Sequence, residues 1–200
     1  MITGLTNYKY EHYYCQQHPN FQEPFRQLLA TIKPNLIIEI GTGSGAFSIF
    51  LNDVMTELNL TYRHLTYDIR HSTENIYMHN QTAVNKIEER TKDVFEDVNW
   101  LSYIINNKYE TVLVLCDGAD KVKEFKTFAP LIKDGDFIMG HDYAITEEYF
   151  NNNVYEKIWN WLELPGESIQ SDIEENNLQY YMNDEFSNIV WLCMQKNNNL

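Results

Sequence analysis

The amino-acid sequence predicts an α/β fold, with a mostly parallel seven-stranded sheet covered by helices on both faces and an antiparallel hairpin at one edge. Two observations lead to this prediction. Strand-like and helix-like segments alternate from residue 35 to residue 142, an order typical of parallel strands joined by crossover helices. Two strand-like segments then follow one another near the end of the chain. The 200 residues, of which 44% are hydrophobic, suffice for one domain with a sizeable core.

Amphipathic periodicity predicts the helices. In the segment 21–32, Phe25, Leu28 and Leu29 share one face, and Pro34 ends the helix. The other predicted helices are 44–58, a short one through 80–87 after an irregular polar stretch at 70–80, 98–107, about 120–132 and about 146–162.

Short apolar runs bounded by turn residues predict the strands. The run ETVLVLCD at 110–117 is typical of a strand buried on both faces. The predicted strands are 35–40, 60–69, 88–94, 110–117, 136–143, 178–182 and 187–195. The single domain (1–200) then consists of an N-terminal helical and lid segment (1–34), a cofactor-binding core (35–145), and a C-terminal helix with a strand pair (146–200).

Charge and cysteine usage limit the function classes. The formal net charge is −14, so electrostatic repulsion argues against a nucleic-acid partner. No segment reads as a signal peptide or reaches the length of a membrane span, so we expect no membrane partner. Cys15, Cys116 and Cys193 are odd in number and widely spaced, which indicates reduced thiols in a cytoplasmic protein. A homo-oligomer remains open.

A glycine-rich turn follows the first predicted strand of the core. In EIGTGSG, Gly41, Gly43 and Gly45 let a ligand approach the main chain closely, and the helix that follows offers free N–H groups. A dinucleotide and S-adenosylmethionine both suit such a turn, and GTGSGA formally satisfies G-x-G-x-x-A. The carboxylate of Glu39 would repel a pyrophosphate but attract a cationic ligand. The turn therefore favours S-adenosylmethionine, a sulfonium with an ammonium group.

These residues resemble the E-x-G-x-G-x-G motif of class I S-adenosylmethionine-dependent methyltransferases, which implies a Rossmann-like fold. LCDGAD and FAPLIKDGDFIMGHDY resemble the fourth and fifth strands of a subgroup of small O-methyltransferases, which includes sugar and macrolide O-methyltransferases and the group called cephalosporin hydroxylases. The resemblance covers roughly residues 35–145. It implies that Asp68 and its neighbour Ile69 hold the ribose, and that Asp93 and Val94 meet the adenine. The implied cofactor residues are Glu39, Gly41, Thr42, Gly43, Ser44, Gly45, Asp68, Ile69, Asp93, Val94 and Asp117.

Two acidic strand ends indicate where the methyl acceptor binds. Asp117 and Asp142 end strands that we expect to be neighbours, about 4.8 Å apart, and hard oxygen ligands at that spacing suit Mg²⁺ or another divalent cation. The resemblance implies a divalent ion at the matching positions. His141 is either a third metal ligand or the general base. The subgroup has His where this chain has Asp120, which we expect to cap the following helix instead.

The leading hypothesis is a methyltransferase that acts on a hydroxyl of a small-molecule acceptor, either metal-assisted through Asp117, His141 and Asp142 or metal-independent with His141 and Asp142 as catalytic residues. A second hypothesis is a binding module that holds S-adenosylmethionine without chemistry. An NAD(P)-dependent oxidoreductase ranks last because of Glu39. The tyrosine-rich start, NYKYEHYY, either forms a lid over the acceptor or packs on the sheet.

Overall fold

A computed structural model describes residues 9–10, 13–70 and 74–197. Its centre is a seven-stranded sheet with the order β6-β7-β5-β4-β1-β2-β3, in which β7 is antiparallel to both of its neighbours, β6 and β5. The predicted α/β fold and its C-terminal antiparallel strand pair are therefore confirmed. The strands are β1 Leu36–Ile40, β2 Arg63–Asp68, β3 Ile87–Thr91, β4 Val112–Cys116, β5 Phe137–His141, β6 Leu178–Tyr180 and β7 Trp191–Lys196.

Helices cover both faces of this sheet. Side chains of α1 and α2 pack on one face with Leu113 and Trp191, whereas side chains of α4 and α5 pack on the other face with Leu36 and Val112. The helices are α1 Gln22–Ile32, α2 Ala46–Glu57, α3 Glu74–Thr82, α4 Val98–Lys108, α5 Lys121–Phe128, α6 Gln170–Glu175 and α7 Asn183–Ser187.

The central strands form because their side chains, apart from Glu39 in β1, are apolar on both faces. Every residue of β1 and β4 is buried, and burial of each large aliphatic side chain stabilises the fold by roughly 1.5–3 kcal/mol. Strand β1 pairs in parallel with both β2 and β4. The chain order reverses beside β1, and ligands of open parallel sheets bind beyond the carboxyl ends of the strands at such a reversal.

The prediction for residues 70–87 is wrong in detail. The helix is α3, at Glu74–Thr82, so it lies within the stretch expected to be irregular and ends well before residue 87. The side-chain amide of Asn80 donates to Ile87 O at 2.9 Å, and Ile87 N donates to Asn80 Oδ1 at 3.0 Å. The Asn80 side chain thus pairs with the main-chain N–H and C=O of Ile87 as a neighbouring strand would. These two hydrogen bonds link the end of α3 to the start of β3.

The predicted long helix at 146–162 is also wrong. A short α-helical turn, Glu147–Tyr149, passes into the π-helical turn Phe150–Val154, and no helix follows before residue 162. Instead, the chain bends so that Trp159 reaches the interior, where it is 2% exposed. Leu164–Pro165 then pairs with Tyr143–Ala144 in a short parallel ladder.

Both ends of the chain contain short additional elements. The short helix α7 lies between β6 and β7, so the strand pair is joined by more than a tight turn. Of the predicted lid, Tyr10, Tyr13 and Tyr14 lie in a small antiparallel pair, Lys9–Tyr10 with Tyr13–Tyr14, and the other lid residues fall outside the described ranges. In the described ranges, no helix has the length and apolar character needed to span a bilayer.

Candidate active site

The glycine turn lies between the end of β1 and the start of α2. Gly41 has φ +94°, and a Cβ there would lie 2.1 Å from the carbonyl oxygen of Asp117, so only glycine lets β1 and β4 end side by side. Gly43 has φ +53°, and a Cβ there would meet nothing within 4 Å. Gly45, at φ +79°, is the N-cap of α2. The turn therefore packs closely against the end of β4 at Gly41 and leaves open space on the outer side, at Gly43, where a ligand could bind close to the main chain.

Asp68 ends β2 and faces this turn. The main-chain N–H of Gly43 donates to Asp68 Oδ2 at 3.0 Å, and that of Arg70 donates to Asp68 Oδ1 at 3.0 Å. Each carboxylate oxygen has further lone pairs, so Asp68 could also accept hydrogen bonds from a vicinal diol bound at the turn. The side chain of Ile69 beside it is 69% exposed.

Glu39 lies beneath the turn and is fully buried. Ser48 Oγ donates to Glu39 Oε2 at 2.5 Å, and His64 Nε2 lies 3.1 Å from the same oxygen. Glu39 Oε1 and His64 Nδ1 have no hydrogen-bond partner among the described residues. The contact with His64 is therefore a second reason, besides a cationic ligand, for a carboxylate at this position. The unpaired Oε1 can still accept a hydrogen bond from an ammonium group or a bridging water.

The other predicted cofactor residues are placed less directly. Thr42 turns its side chain inward, where Thr42 Oγ1 lies 2.7 Å from Thr66 Oγ1, so only its backbone can meet a ligand. Ser44 Oγ donates to the carbonyl oxygen of Tyr14. Asp93 caps the 3-10 turn Val94–Asp97 by accepting from Phe95 N at 3.0 Å, and Val94 is buried in the core.

A second cluster lies at the ends of β4 and β5. Asp117, His141 and Asp142 each bring one ligand atom within 4.8 Å of the others, and His141 Nδ1 lies 2.9 Å from Asp117 Oδ1. Asp142 has φ +55°, a left-handed conformation that Asp adopts more readily than most residues. Two carboxylates and an imidazole are suitable donors for a divalent cation in type and spacing.

His141 is held between two indole rings. Its ring stacks on that of Trp191, with centroids 4.8 Å apart, and contacts Trp159 at 5.4 Å. Burial lowers the pKa of His141, but the carboxylates of Asp117 and Asp142 outweigh it, so the net shift is upward. Because His141 Nδ1 is paired with Asp117, Nε2 is the ring nitrogen that can take up a proton. Nε2 is buried and has no hydrogen-bond partner among the described residues.

The carboxylates of this cluster already have donors. Gln17 Nε2 donates to Asp117 Oδ2 at 2.8 Å, and Trp159 Nε1 donates to Asp142 Oδ1 at 2.5 Å. Lys121 Nζ lies 3.1 Å from Asp142 Oδ2 and 3.6 Å from Asp117 Oδ1. A divalent ion would have to compete with these three side chains.

The sequence did not point to Gln17, Lys121, Trp159 or Trp191. Gln17 links the cluster to the sheet, because Trp191 Nε1 donates to Gln17 Oε1 at 2.8 Å. Lys121 directly follows the landmark DGAD, which is the one signal that could have found it. Asp120 caps α5 by accepting from Lys123 N at 3.1 Å, as expected. Cys116 is buried in β4, and all three cysteines are free and buried.

Comparison with known proteins agrees with this architecture. The sequence model of the family "Rhamnosyl O-methyltransferase/CmcI" matches residues 5–200. The chain belongs to this family. Rhamnosyl O-methyltransferases of Mycobacterium tuberculosis and Mycobacterium bovis are 23% identical to it over 124 residues, which are 60% of this chain and 51% of those proteins. The match thus spans about half the length of these relatives.

Solved structures share the fold. An apo structure of CmcI has a TM-score of 0.69 at 12% identity, covering 96% of this chain and 77% of that one. A CmcI structure with Mg and SAM has a TM-score of 0.68 at 11% identity, covering 96% and 78%. An O-methyltransferase from Bacillus cereus in complex with SAH has a TM-score of 0.53 at 17% identity, covering 89% and 81%.

Proposed function

We propose that the protein is an S-adenosylmethionine-dependent O-methyltransferase that acts on a small hydroxylated acceptor, such as a sugar, a phenol or another natural product. The supporting observation is the pairing of two clusters at one sheet edge. The open side of the glycine turn faces Asp68, and the Asp117–His141 pair lies at the end of the strands beside β1. Family membership supports the same reaction class. The free, buried thiols suit the reducing cytoplasm.

The donor would be held by the turn and its acids. S-adenosylmethionine, when bound, supplies an electrophilic methyl group for the acceptor oxygen. The backbone of Gly41–Gly45 and the free Oε1 of Glu39 would hold its amino-acid part. Asp68 would accept hydrogen bonds from the ribose hydroxyls, and Ile69 with Asp93 and Val94 would border the adenine. Glu39 is the reason to expect a cationic ligand rather than a pyrophosphate.

Removal of the acceptor proton is assigned to His141. Its Nδ1–H donates to Asp117, so Nε2 can accept the hydroxyl proton as the new C–O bond forms. Asp142 stabilises the imidazolium because its Oδ1 lies 3.7 Å from His141 Nδ1. A divalent ion on Asp117, His141 and Asp142 is the alternative, supported by the donor types and by the CmcI structure with Mg and SAM. The donors already present on the carboxylates favour the histidine.

Calorimetry with S-adenosylhomocysteine and with NAD tests the donor. We expect binding of the sulfur compound and none of NAD. Tight binding of NAD alone would overturn the proposal. Transfer of labelled methyl groups to a panel of sugars and phenols then tests the reaction. With His141 as base, the rate rises with pH through a pKa above the ordinary value of 6.5, and a flat profile argues against that role.

A binding module without chemistry is the second candidate. It is favoured by Asp120, which caps α5 at the position where the subgroup carries His. Such a module would bind S-adenosylhomocysteine and yield no labelled product with any acceptor. Product from any member of the panel excludes it.

A further inference from the structure

The acidic cluster at the ends of β4 and β5 already contains a positive charge. We propose that the ammonium of Lys121 is the resident cation of Asp117 and Asp142, in the place that a divalent ion would need. The chain would then hold its acceptor-side carboxylates with a tethered cation instead of a metal. The proposal concerns cation binding alone and does not depend on methyl transfer.

The ammonium is fully used by its surroundings. Lys121 Nζ donates to Gly118 O at 3.0 Å and to Glu163 Oε2 at 2.5 Å, and Asp142 Oδ2 lies 3.1 Å away. A lysine ammonium has three N–H donors, so two of them are used by Gly118 and Glu163, and the third is available to Asp142 or to Asp117, whose Oδ1 lies 3.6 Å away. The side chain is 5% exposed, which is rare for lysine unless it is paired.

Electrostatics favour the charged lysine at this place. Three carboxylates, those of Asp117, Asp142 and Glu163, each have an oxygen within 3.6 Å of Lys121 Nζ, and a positive charge is stabilised by such neighbours. Two neighbouring carboxylates that would repel one another without a cation are held together by it.

A divalent ion at this position would lie close to the ammonium. It would lie about 2.0–2.6 Å from an oxygen of Asp117 and an oxygen of Asp142, and Lys121 Nζ lies 3.6 Å and 3.1 Å from two such oxygens. The ion and the ammonium would be near neighbours of like charge. Repulsion therefore weakens binding of the ion for as long as Lys121 keeps its contacts with Gly118 and Glu163.

The local backbone fixes the lysine in this place. Lys121 is the first residue of α5, directly after the cap Asp120. Glu124 holds the preceding loop, because Gly118 N and Asp120 N donate to its two carboxylate oxygens at 3.1 and 3.2 Å. The side chain therefore starts beside the ends of β4 and β5 and has little freedom to leave.

Titration of Mn²⁺ by calorimetry tests the proposal. We expect no saturable binding to the wild-type chain. We expect saturable binding to Lys121→Met, with an affinity at least about tenfold above the weakest that the titration would detect in the wild type, because Met keeps the aliphatic stem and removes the charge. Mn²⁺ should also raise the Tm of Lys121→Met and leave the wild-type Tm unchanged. The matched control is Lys126→Met, which removes an exposed lysine of the same helix, 3.9 Å from Asp172, and should behave as wild type.

A double variant, Lys121→Met with Asp142→Asn, tests whether the Mn²⁺ binding gained in Lys121→Met takes place at the acidic cluster. The double variant should lose that binding. Saturable wild-type binding that Asp142→Asn abolishes would overturn the proposal, as would a folded Lys121→Met with no gain. If Lys121→Met does not fold, wild-type crystals soaked in Mn²⁺ test the proposal instead. An anomalous peak between Asp117 and Asp142 overturns the proposal. The Lys121 ammonium at that place, with no anomalous peak, supports it.

Discussion

The two clusters at the carboxyl edge of the sheet differ in how their polar groups are satisfied. Around the glycine turn, the donors to Asp68 among the described residues are main-chain N–H groups, and the outer side of Gly43 is open. At the acidic cluster, the side chains of Asp117 and Asp142 are 14% and 9% exposed, and other side chains fill their hydrogen-bonding capacity. One cluster is thus prepared for a ligand by backbone shape, and the other is already assembled by charge pairing.

The largest expected effect comes from removing one charge of the assembled cluster. Asp117→Ala removes the hydrogen-bond acceptor of His141 Nδ1 and of Gln17 Nε2 and one of the carboxylates beside Lys121, so we expect a loss of about 3–5 kcal/mol in the free energy of unfolding. Urea denaturation measures it. Asp120→Ala, three residues away, removes only the cap of α5 and should cost about 1 kcal/mol. Equal losses would mean that the pairing around Asp117 is not special.

Paired glycine substitutions test the backbone-shaped cluster. Gly41→Ala forces a Cβ to 2.1 Å from Asp117 O at φ +94°, so strain of about 1–2 kcal/mol adds to overpacking of about 1–3 kcal/mol. Gly43→Ala meets nothing and should lose only the strain. The free energies of unfolding of the two variants give the difference. A Gly43→Ala variant as unstable as Gly41→Ala contradicts an open outer side.

The pH dependence of stability tests Glu124, which holds the loop beside the acidic cluster. Burial raises the pKa of Glu124 from 4.5 to about 7, so the folded chain holds an extra proton between these values. The free energy of unfolding should therefore fall by about 3 kcal/mol as the pH rises through this window. Glu124→Gln should flatten that slope, at lower absolute stability because one backbone acceptor is lost. Denaturation at several pH values checks this, with the exposed Glu148→Gln as control, and an unchanged slope in Glu124→Gln refutes it.

The smallest effect on stability belongs to Asp68. Its main-chain contacts are exposed, so Asp68→Ala should change the free energy of unfolding by less than about 1 kcal/mol. The same variant should weaken binding of S-adenosylhomocysteine by about 1–3 kcal/mol, because a carboxylate that accepts two hydroxyls is lost. Calorimetry gives the affinity. Unaltered affinity would place the donor elsewhere.

Much of the fold follows from local patterns in the sequence. The buried runs at β1 and β4 and the amphipathic faces of α1 and α4 were predicted close to their observed bounds. The long helix at 146–162 was not observed, and Trp159 instead lies in the core, where its indole N–H donates to Asp142. That contact joins residues 17 positions apart, and helical periodicity carries no information about it.

The candidate site divides in the same way. The sequence determined the acids and glycines at the strand ends, because parallel strands place their carboxyl ends along one edge. Only the tertiary structure decided that Lys121 meets Asp142 and Glu163 and that Gln17 meets Asp117, since packing brings these separate segments together. Interactions of these polar and charged groups are strongest where burial removes water, and burial is a property of the folded chain rather than of any stretch of sequence.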